Sequence, residues 1–165
     1  MYLLDTNTLI ESKNRYYDFN ICPGFWQAIL INDKIKTIEM VIEEIKDGND
    51  ELTKWITDHE YDMKKKLIKI DHDIQKIFSK IANYIENLQF PPKSEKERFL
   101  SKADPWLIAT AKKFDYIIVT QEQFIKNINT KKIKIPNICS NFNVKYITIF
   151  DLLKQENIKF YLKES

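Results

Sequence analysis

Four acidic positions in the sequence have the residue type and the placement expected of a metal site. Asp5 directly follows the first apolar segment, and Glu122 lies two residues beyond DYIIVT, the clearest predicted strand. Glu43 and Glu44 stand in the first turns of a helix predicted after the second strand, and Asp104 heads the predicted helix ADPWLIATAKKF. Four segments that are distant in sequence therefore each place a carboxylate at the end of a strand or the start of a helix.

Carboxylates that converge without partners repel one another, which raises their pKa values or destabilises the site, and a divalent cation removes that repulsion. Mg²⁺ and Mn²⁺ prefer hard oxygen ligands, so a set of Asp and Glu without His or Cys fits them better than zinc. Such a cation activates a water molecule and stabilises charge on a phosphodiester, and a second cation would hold the leaving oxygen as well. The pattern predicts a Mg²⁺ or Mn²⁺ site and leaves open whether it holds one ion or two.

Each acid also has a simpler interpretation when it is taken alone. Asp104 is followed by Pro105, which is the arrangement of a helix N-cap and its first residue. Asp5 could cap the next turn, and Glu43 and Glu44 could be solvated helix residues. The prediction of a site depends on the combination of the four positions.

Strands and helices alternate along the chain, which predicts an α/β fold with a parallel sheet covered on both faces. Ligands of such sheets bind beyond the carboxyl ends of the strands, where the strand order reverses, and Asp5 occupies that position after strand one.

A loop is predicted over residues 91–103. Strands are predicted at Tyr2–Leu4, Ile35–Ile38, DYIIVT and KYITIF, and helices from Thr8, at Phe25–Ile31, Val41–Lys46, Glu51–Glu60, 74–88, from Asp104, within KKIKIPNICSNFNV and at Asp151–Lys154.

The composition is that of a globular protein, and we expect one domain over residues 1–165. The net charge of +2 does not point to a nucleic-acid binder but leaves room for a local basic patch, and the two glycines exclude a glycine-rich phosphate loop. Cys22 and Cys139 lack the spacing of a zinc site and fit a reducing compartment. With no membrane span or signal peptide visible, a cytoplasmic location is expected.

The segments LLDTNTLI, VIEEIKDG, ADPWLIATA and IIVTQE together resemble PIN-domain nucleases, the family of many VapC-type toxin–antitoxin ribonucleases. Their order and spacing match the four-acid pattern of that family over essentially the whole chain, and the tail KIPNICSNFNVKYITIFDLL resembles its final strand and helix. The resemblance implies a three-layer α/β/α fold with a central parallel sheet of about five strands.

The resemblance also implies roles for individual residues. Thr120 matches a hydroxyl residue near the metal, and Asn7 matches a polar residue that supports the first ligand. The family more often has Asp at the fourth acidic position, so Glu122 is a departure that bears on the second metal. The catalytic metal ligands implied in this way are Asp5, Glu44, Asp104 and Glu122, with Glu43 as a less favoured stand-in for Glu44.

The implied activity is Mg²⁺- or Mn²⁺-dependent hydrolysis of RNA phosphodiester bonds by the toxin of a type II toxin–antitoxin pair, with a protein antitoxin and a homodimer as partners. The alternatives are an RNA-processing PIN-like nuclease without an antitoxin, and a PIN-like module that binds RNA or protein without cutting. A phosphoacceptor receiver is disfavoured because Asp5 is followed by Thr and no lone central Asp is present. Lys13, Arg15 and Lys102 are candidate phosphate contacts, each with a solvated surface residue as its alternative.

Three aromatic residues near the first motif, Tyr16, Tyr17 and Phe19, have two interpretations. They could stack on RNA bases, although packing in the core or in a dimer is the favoured interpretation. His59 and His72 are far from the acids in sequence order and are not expected to act as ligands.

Overall fold

The computed structural model describes residues 1–127 and 130–161. Its strands are β1 (Tyr2–Leu4), β2 (Ile35–Ile38), β3 (Leu67–Ile68), β4 (Ile117–Val119) and β5 (Tyr146–Ile147). They form a five-stranded sheet with the order β3-β2-β1-β4-β5, in which every neighbouring pair is parallel. Helices flank the sheet, which confirms the predicted α/β fold class.

The helices fill the connections between the parallel strands, as such strands require. Within the described residues, no helix is both long enough and apolar enough to cross a membrane. The helices are α1 (Thr6–Glu11), α2 (Pro23–Ile31), α3 (Glu39–Lys46), α4 (Glu51–Asp58), α5 (Glu60–Lys64), α6 (His72–Glu86), α7 (Lys93–Leu100), α8 (Asp104–Phe114), α9 (Ile135–Phe142) and α10 (Ile149–Gln155), with a π-helical turn at Ser12–Tyr16 after α1.

The strand order reverses between β1 and β4. From β1 the chain moves outward through β2 to β3, and then returns to place β4 on the other side of β1. Leu4 lies opposite Val119 in the β1–β4 register, and the N–H of Asp5 donates to the carbonyl oxygen of Val119 at 3.2 Å. The residues that follow these two strands therefore begin side by side at the switch point of the sheet.

The central strands are buried because helices cover both faces of the sheet. Leu3 and Ile118 are fully buried, as is typical of short apolar strands in a parallel sheet. Helices α6 and α8 pack against each other, and the rings of Phe78 and Trp106 stack with centroids 3.8 Å apart. This packing holds α8, whose first residue is Asp104, against the rest of the molecule.

Local sequence signals set several helix ends. Pro23, Pro105 and Pro136 lie in the first turns of α2, α8 and α9, where proline leaves no hydrogen bond unmade. Helices α8 and α9 end at Asp115 and Asn143, each in the left-handed conformation with φ of 52°. These stops return the chain to the sheet at β4 and β5.

The structure corrects several sequence-based predictions. The predicted loop at 91–103 is wrong because α7 occupies Lys93–Leu100, with Phe99 fully buried. The first helix begins at Thr6 rather than Thr8, since the Asp5 side chain caps it. Strand β3 was not predicted, and the single helix expected at Glu51–Glu60 is divided at His59 into α4 and α5.

Candidate active site

We call the edge of the sheet where Asp5, Glu44, Asp104 and Glu122 lie the acidic edge. Asp5 lies on it immediately after β1. Its residue is only 1% exposed, and both carboxylate oxygens have partners. Oδ2 accepts a hydrogen bond from the hydroxyl of Thr120 at 3.0 Å, and Oδ1 accepts one from the N–H of Asn7 at 3.3 Å. The capping interpretation of Asp5 therefore holds structurally, and it fixes the carboxylate between the ends of β1 and β4.

Asp104 is the first residue of α8, and the structure does not support its interpretation as a cap. The N-cap position belongs to Ala103, and the Asp104 side chain makes no capping hydrogen bond. Among the described residues none donates a hydrogen bond to its carboxylate, although the charges of Arg98 and Lys102 act on it. Asp104 is thus the acid of the group whose oxygens are most available to a ligand.

The charges of the other acids act on both Asp5 and Asp104. Burial raises the pKa of Asp5 well above its usual value, and the charges of Asp104 and Glu122 raise it further. Burial also raises the pKa of Asp104 to about 7, with further contributions from Glu122 and Glu44. A bound cation would favour the charged forms and reverse these shifts.

Glu44 connects three helices at the same edge. Its Oε2 accepts the hydroxyl hydrogen of Thr6 at 2.6 Å, and its Oε1 accepts the N–H of Ala103 at 2.9 Å. The Nζ of Lys102 lies 3.9 Å from Oε1. Glu44 therefore supports the start of α8 next to Asp104, whereas the neighbouring Glu43 is exposed.

The side chain of Glu122 is held by two residues at the start of α9. Its Oε1 accepts from the Nζ of Lys134 at 2.6 Å, and its Oε2 accepts from the N–H of Ile135 at 2.8 Å. Its own N–H donates to the hydroxyl of Thr120 at 3.2 Å. The carboxylate thus bridges the end of β4 and the start of α9, while its charge still acts on Asp5 and Asp104.

The structure separates the three predicted phosphate contacts. Lys102 borders Glu44 and is about half exposed, so it lies at the acidic edge. Lys13 instead pairs with Glu51 at 2.5 Å, and the Nη1 of Arg15 lies 3.9 Å from Glu11. These pairings place Lys13 and Arg15 with acids outside the predicted ligand set.

The aromatic residues near the first motif pack against other rings. Tyr17 stacks on Phe25 with centroids 4.2 Å apart, and Phe19 lies 4.5 Å from Trp26. Tyr16 makes an edge contact with a further ring, and its own ring is partly exposed. Packing is therefore the role that the structure gives to Tyr17 and Phe19.

Two basic residues that were not predicted to lie at the site act on the acids. Arg98 of α7 donates two hydrogen bonds to Glu95, at 2.7 and 2.8 Å, and its charge opposes the pKa rise of Asp104. Lys134, the partner of Glu122, is the second. The signals for α7 were the i, i+3 spacing of Glu95 and Arg98 and the apolar Phe99 that follows.

The donor set fits a hard divalent cation, although it is not a closed cage. Within the described residues, no three His, Cys, Asp or Glu side chains are grouped closely enough to hold a metal ion by themselves. Mg²⁺ commonly uses one or two carboxylates and completes its shell with waters and substrate phosphates. The buried Asp5 and the half-buried Asp104 meet that requirement. His59 instead packs its ring 4.8 Å from that of Trp55.

Comparison with known proteins gives a family and a fold. The model of a family described as a domain of unknown function (DUF4411) matches residues 2–160. Among curated proteins, none matches the chain significantly. A solved structure of FitAB bound to an IR36 DNA fragment is similar with a TM-score of 0.56 at 16% identity, over 90% of this chain and 94% of that one. This likeness supports a PIN-like fold.

Proposed function

We propose that this chain, which belongs to the DUF4411 family, is a divalent-metal-dependent ribonuclease and the toxin of a type II toxin–antitoxin pair. The observation that carries the proposal is the pair formed by the buried Asp5 and the half-buried Asp104 at the switch point of a PIN-like fold. The charges of Asp104 and Glu122 raise the pKa of Asp5, those of Glu122 and Glu44 raise the pKa of Asp104, and acids that interact in this way are poorly accommodated without a cation. Perturbed acids at a strand edge are typical of functional sites.

The residues of the chain divide the work at this edge. Asp5 and Asp104 would hold the cation, with Thr120 orienting the carboxylate of Asp5. Glu44 keeps the start of α8 in place through the N–H of Ala103 and adds negative charge to the site. A bound Mg²⁺ or Mn²⁺ supplies water activation and neutralises charge on the phosphate.

Two basic side chains of the protein are suited to attract the phosphate backbone of the RNA substrate. Arg98 and Lys102 both act on Asp104, and the Lys102 side chain is about half exposed. Basic side chains beside an acidic metal site draw a phosphodiester toward it and position it. Arg98 is tied to Glu95 by two hydrogen bonds, so its guanidinium is already oriented.

Glu122 is the least direct member of the proposed set. Its carboxylate is neutralised by Lys134 and fixes the start of α9, so it would join the metal site only after that ion pair opens. We propose that it orients the attacking water or supports a second cation. Binding of the first metal ion depends on Asp5 and Asp104 and does not require Glu122.

The test is cleavage of a pool of single-stranded RNA by the purified chain with Mg²⁺ or Mn²⁺, and with chelator. We expect cleavage that requires the metal and disappears in Asp5→Asn and Asp104→Asn. Asp58→Asn is the matched control because Asp58 pairs with Lys54 on the exposed surface of α4. Cleavage that persists in chelator or in both variants would refute the proposal. A DNA arm belongs in the experiment because FitAB was solved with DNA.

The toxin assignment needs a test separate from chemistry. The alternatives are a nuclease that processes RNA without an antitoxin, and a binding module that does not cut. We expect that expression of the wild-type chain arrests growth, that Asp5→Asn does not, and that a neighbouring gene product binds the chain and restores growth. Cleavage without toxicity would favour the processing nuclease, and binding without cleavage would favour the module. Light scattering of the purified chain tests the proposed homodimer.

A further inference from the structure

We propose that a cavity next to the acidic edge binds a nucleobase of the single-stranded RNA substrate, an inference that rests on the proposed function. The cavity has a volume of about 390 Å³ and lies between the end of α6, the segment that follows Glu122, and α9. Its size falls in the range of small-molecule sites. Its lining includes two aromatic residues, Phe90 and Phe124, and two basic residues, Lys126 and Lys132.

Two phenylalanine rings are exposed on the walls of this cavity. Phe90 is 46% exposed and Phe124 is 47% exposed. Exposed apolar side chains that converge on one concave surface mark a binding site more often than isolated ones do. Aromatic rings of this kind stack on nucleobases regardless of sequence, because every base has an aromatic face.

The backbone that carries both rings is anchored. The Nζ of Lys96 donates to the carbonyl oxygen of Glu86 at 2.9 Å and to that of Leu88, which fixes the turn before Phe90. The side-chain amide of Asn137 accepts from the N–H of Ile125 at 3.0 Å and donates to its carbonyl oxygen at 2.8 Å. The second pair holds the residue next to Phe124, so both rings are positioned before a ligand arrives.

The charge around the cavity favours a nucleotide over an uncharged ligand. Lys126 and Lys132 line it, and among its described lining residues there is no Asp or Glu. Two acids near the cavity already have basic partners: Glu95 of α7, which accepts the N–H of Ile133 at 2.9 Å, is paired with Arg98, and Glu122 is paired with Lys134. A phosphate beside the bound base would therefore meet ammonium groups.

The cavity is continuous with the acidic edge along the chain. Phe124 lies two residues after Glu122, and Lys132 lies two residues before Lys134, the partner of Glu122. Two residues of extended chain span about 7 Å. A strand that passes Glu122 on its way to Asp5 and Asp104 would thus place one of its nucleotides over this cavity.

The test uses the full-length Asp5→Asn protein, so that RNA is bound but not cut, and a fluorescein-labelled single-stranded uridine oligonucleotide. Fluorescence anisotropy gives the Kd. We expect Phe90→Ala and Phe124→Ala each to raise the Kd about tenfold, since a stacking contact is lost. Phe124→Trp should keep the affinity. Tyr161→Ala is the matched control, because Tyr161 is an exposed aromatic residue, 82% exposed, outside this cavity.

An abasic oligonucleotide of the same length separates stacking from a change of fold. It should bind the Asp5→Asn parent and the Phe124→Ala variant equally, since it has no base to lose. Equal affinity of parent and both alanine variants for the uridine oligonucleotide would overturn the inference and leave the rings as a surface for a protein. A tenfold loss that persists with the abasic strand would overturn it as well.

The outcomes for the cavity and for the proposed function are distinguishable. Metal-dependent cleavage by the wild-type chain, together with unchanged binding in the alanine variants, keeps the nuclease and removes the cavity. Loss of binding in Phe90→Ala and Phe124→Ala, without cleavage by the wild-type chain, keeps the cavity as a nucleobase site and removes the nuclease.

Discussion

Thr120 donates its hydroxyl hydrogen to Oδ2 of Asp5 at 3.0 Å, across the ends of two strands that are more than a hundred residues apart in sequence. The bond exists because β1 and β4 are neighbours at the reversal of strand order. It orients the carboxylate of Asp5 and opposes the rise of its pKa. The relationship between these two residues organises the candidate site.

The Thr120 hydroxyl can be removed with little change of shape. We expect Thr120→Val to lower metal-dependent cleavage by about 10–100-fold, because the orienting bond to a metal ligand is lost. Thr120→Ser should restore most of the activity. The measurement is the initial rate as a function of Mg²⁺ concentration, in which the valine variant needs more metal.

Thr110→Val is the matched control for that experiment. Thr110 is also a buried threonine, and its hydroxyl donates to the carbonyl oxygen of Trp106 within α8. Thr110→Val should lower the stability of the protein without changing the Mg²⁺ concentration that cleavage requires. Equal metal requirements in wild type and Thr120→Val would remove Thr120 from the site.

Asp5→Asn should abolish cleavage while the fold is retained. Asp5 is only 1% exposed, and burial raises the pKa of its carboxyl group, so its charged form is unfavourable without a metal. Because the amide carries no charge, the metal-free variant should be at least as stable as wild type. Thermal unfolding by circular dichroism, with and without Mg²⁺, measures this. A wild-type Tm that rises with Mg²⁺ while the variant does not respond is the expected result.

The stability of the metal-free protein should depend on pH through Asp104. Its pKa in the folded state, about 7, lies above the ordinary value of 3.8, so its contribution to stability is complete below pH 4. That contribution is lost as the pH rises through 7, because ionisation then favours the unfolded chain. At about 1.36 kcal/mol per pKa unit, the shift from 3.8 to about 7 sets an upper bound of about 4 kcal/mol on this loss in the free energy of unfolding.

Other acids of the chain have lowered pKa values and act in the opposite sense, among them Glu95 and Asp151. The comparison is therefore between wild type and Asp104→Asn, by urea unfolding at pH 4.5 and pH 8. The difference in stability between the two proteins should shift in favour of the variant at the higher pH. A constant difference would show that Asp104 titrates normally.

Lys134→Met should make the protein more dependent on metal. The ion pair between Lys134 and Glu122 is partly buried, so its loss leaves a carboxylate facing the charges of Asp5 and Asp104. Breaking such a pair costs about 1–3 kcal/mol. The rise of Tm on adding Mg²⁺ should be larger in Lys134→Met than in wild type.

Lys76→Met is the corresponding control, because Lys76 forms an exposed pair with Asp73 on α6. Such a pair contributes little to stability. If both variants respond to Mg²⁺ as wild type does, Glu122 is a structural residue that does not sense the metal.

Phe99→Ala tests whether α7 is an integral part of the fold. Phe99 is fully buried, and its removal should cost about 3–5 kcal/mol of stability. Cleavage measured at a temperature where the variant stays folded should also fall, since α7 carries Arg98. Leu100→Ala, at the partly buried neighbouring position, should cost less.

The sequence by itself determined the order and type of the main elements and the acids at their ends. Apolar segments followed by Asp5 and by Thr120 are local patterns, and the alternation of strands and helices predicts a parallel sheet with a reversal of strand order. The helix over residues 93–100 escaped because its surface is highly charged and its one deeply buried residue, Phe99, is a weak periodic signal. The two-residue strand β3 is too short to show a pattern.

Only the tertiary structure decided what each acid contacts. Glu44 rather than Glu43 meets Thr6 and Ala103, because the direction of a helical side chain depends on how α3 is rotated against α1 and α8. Glu122 forms an ion pair with Lys134, and among the described residues none donates a hydrogen bond to the carboxylate of Asp104. These outcomes depend on distances between residues that are remote in sequence, and burial then sets their charges, since a carboxylate's pKa responds to surroundings that no local segment specifies.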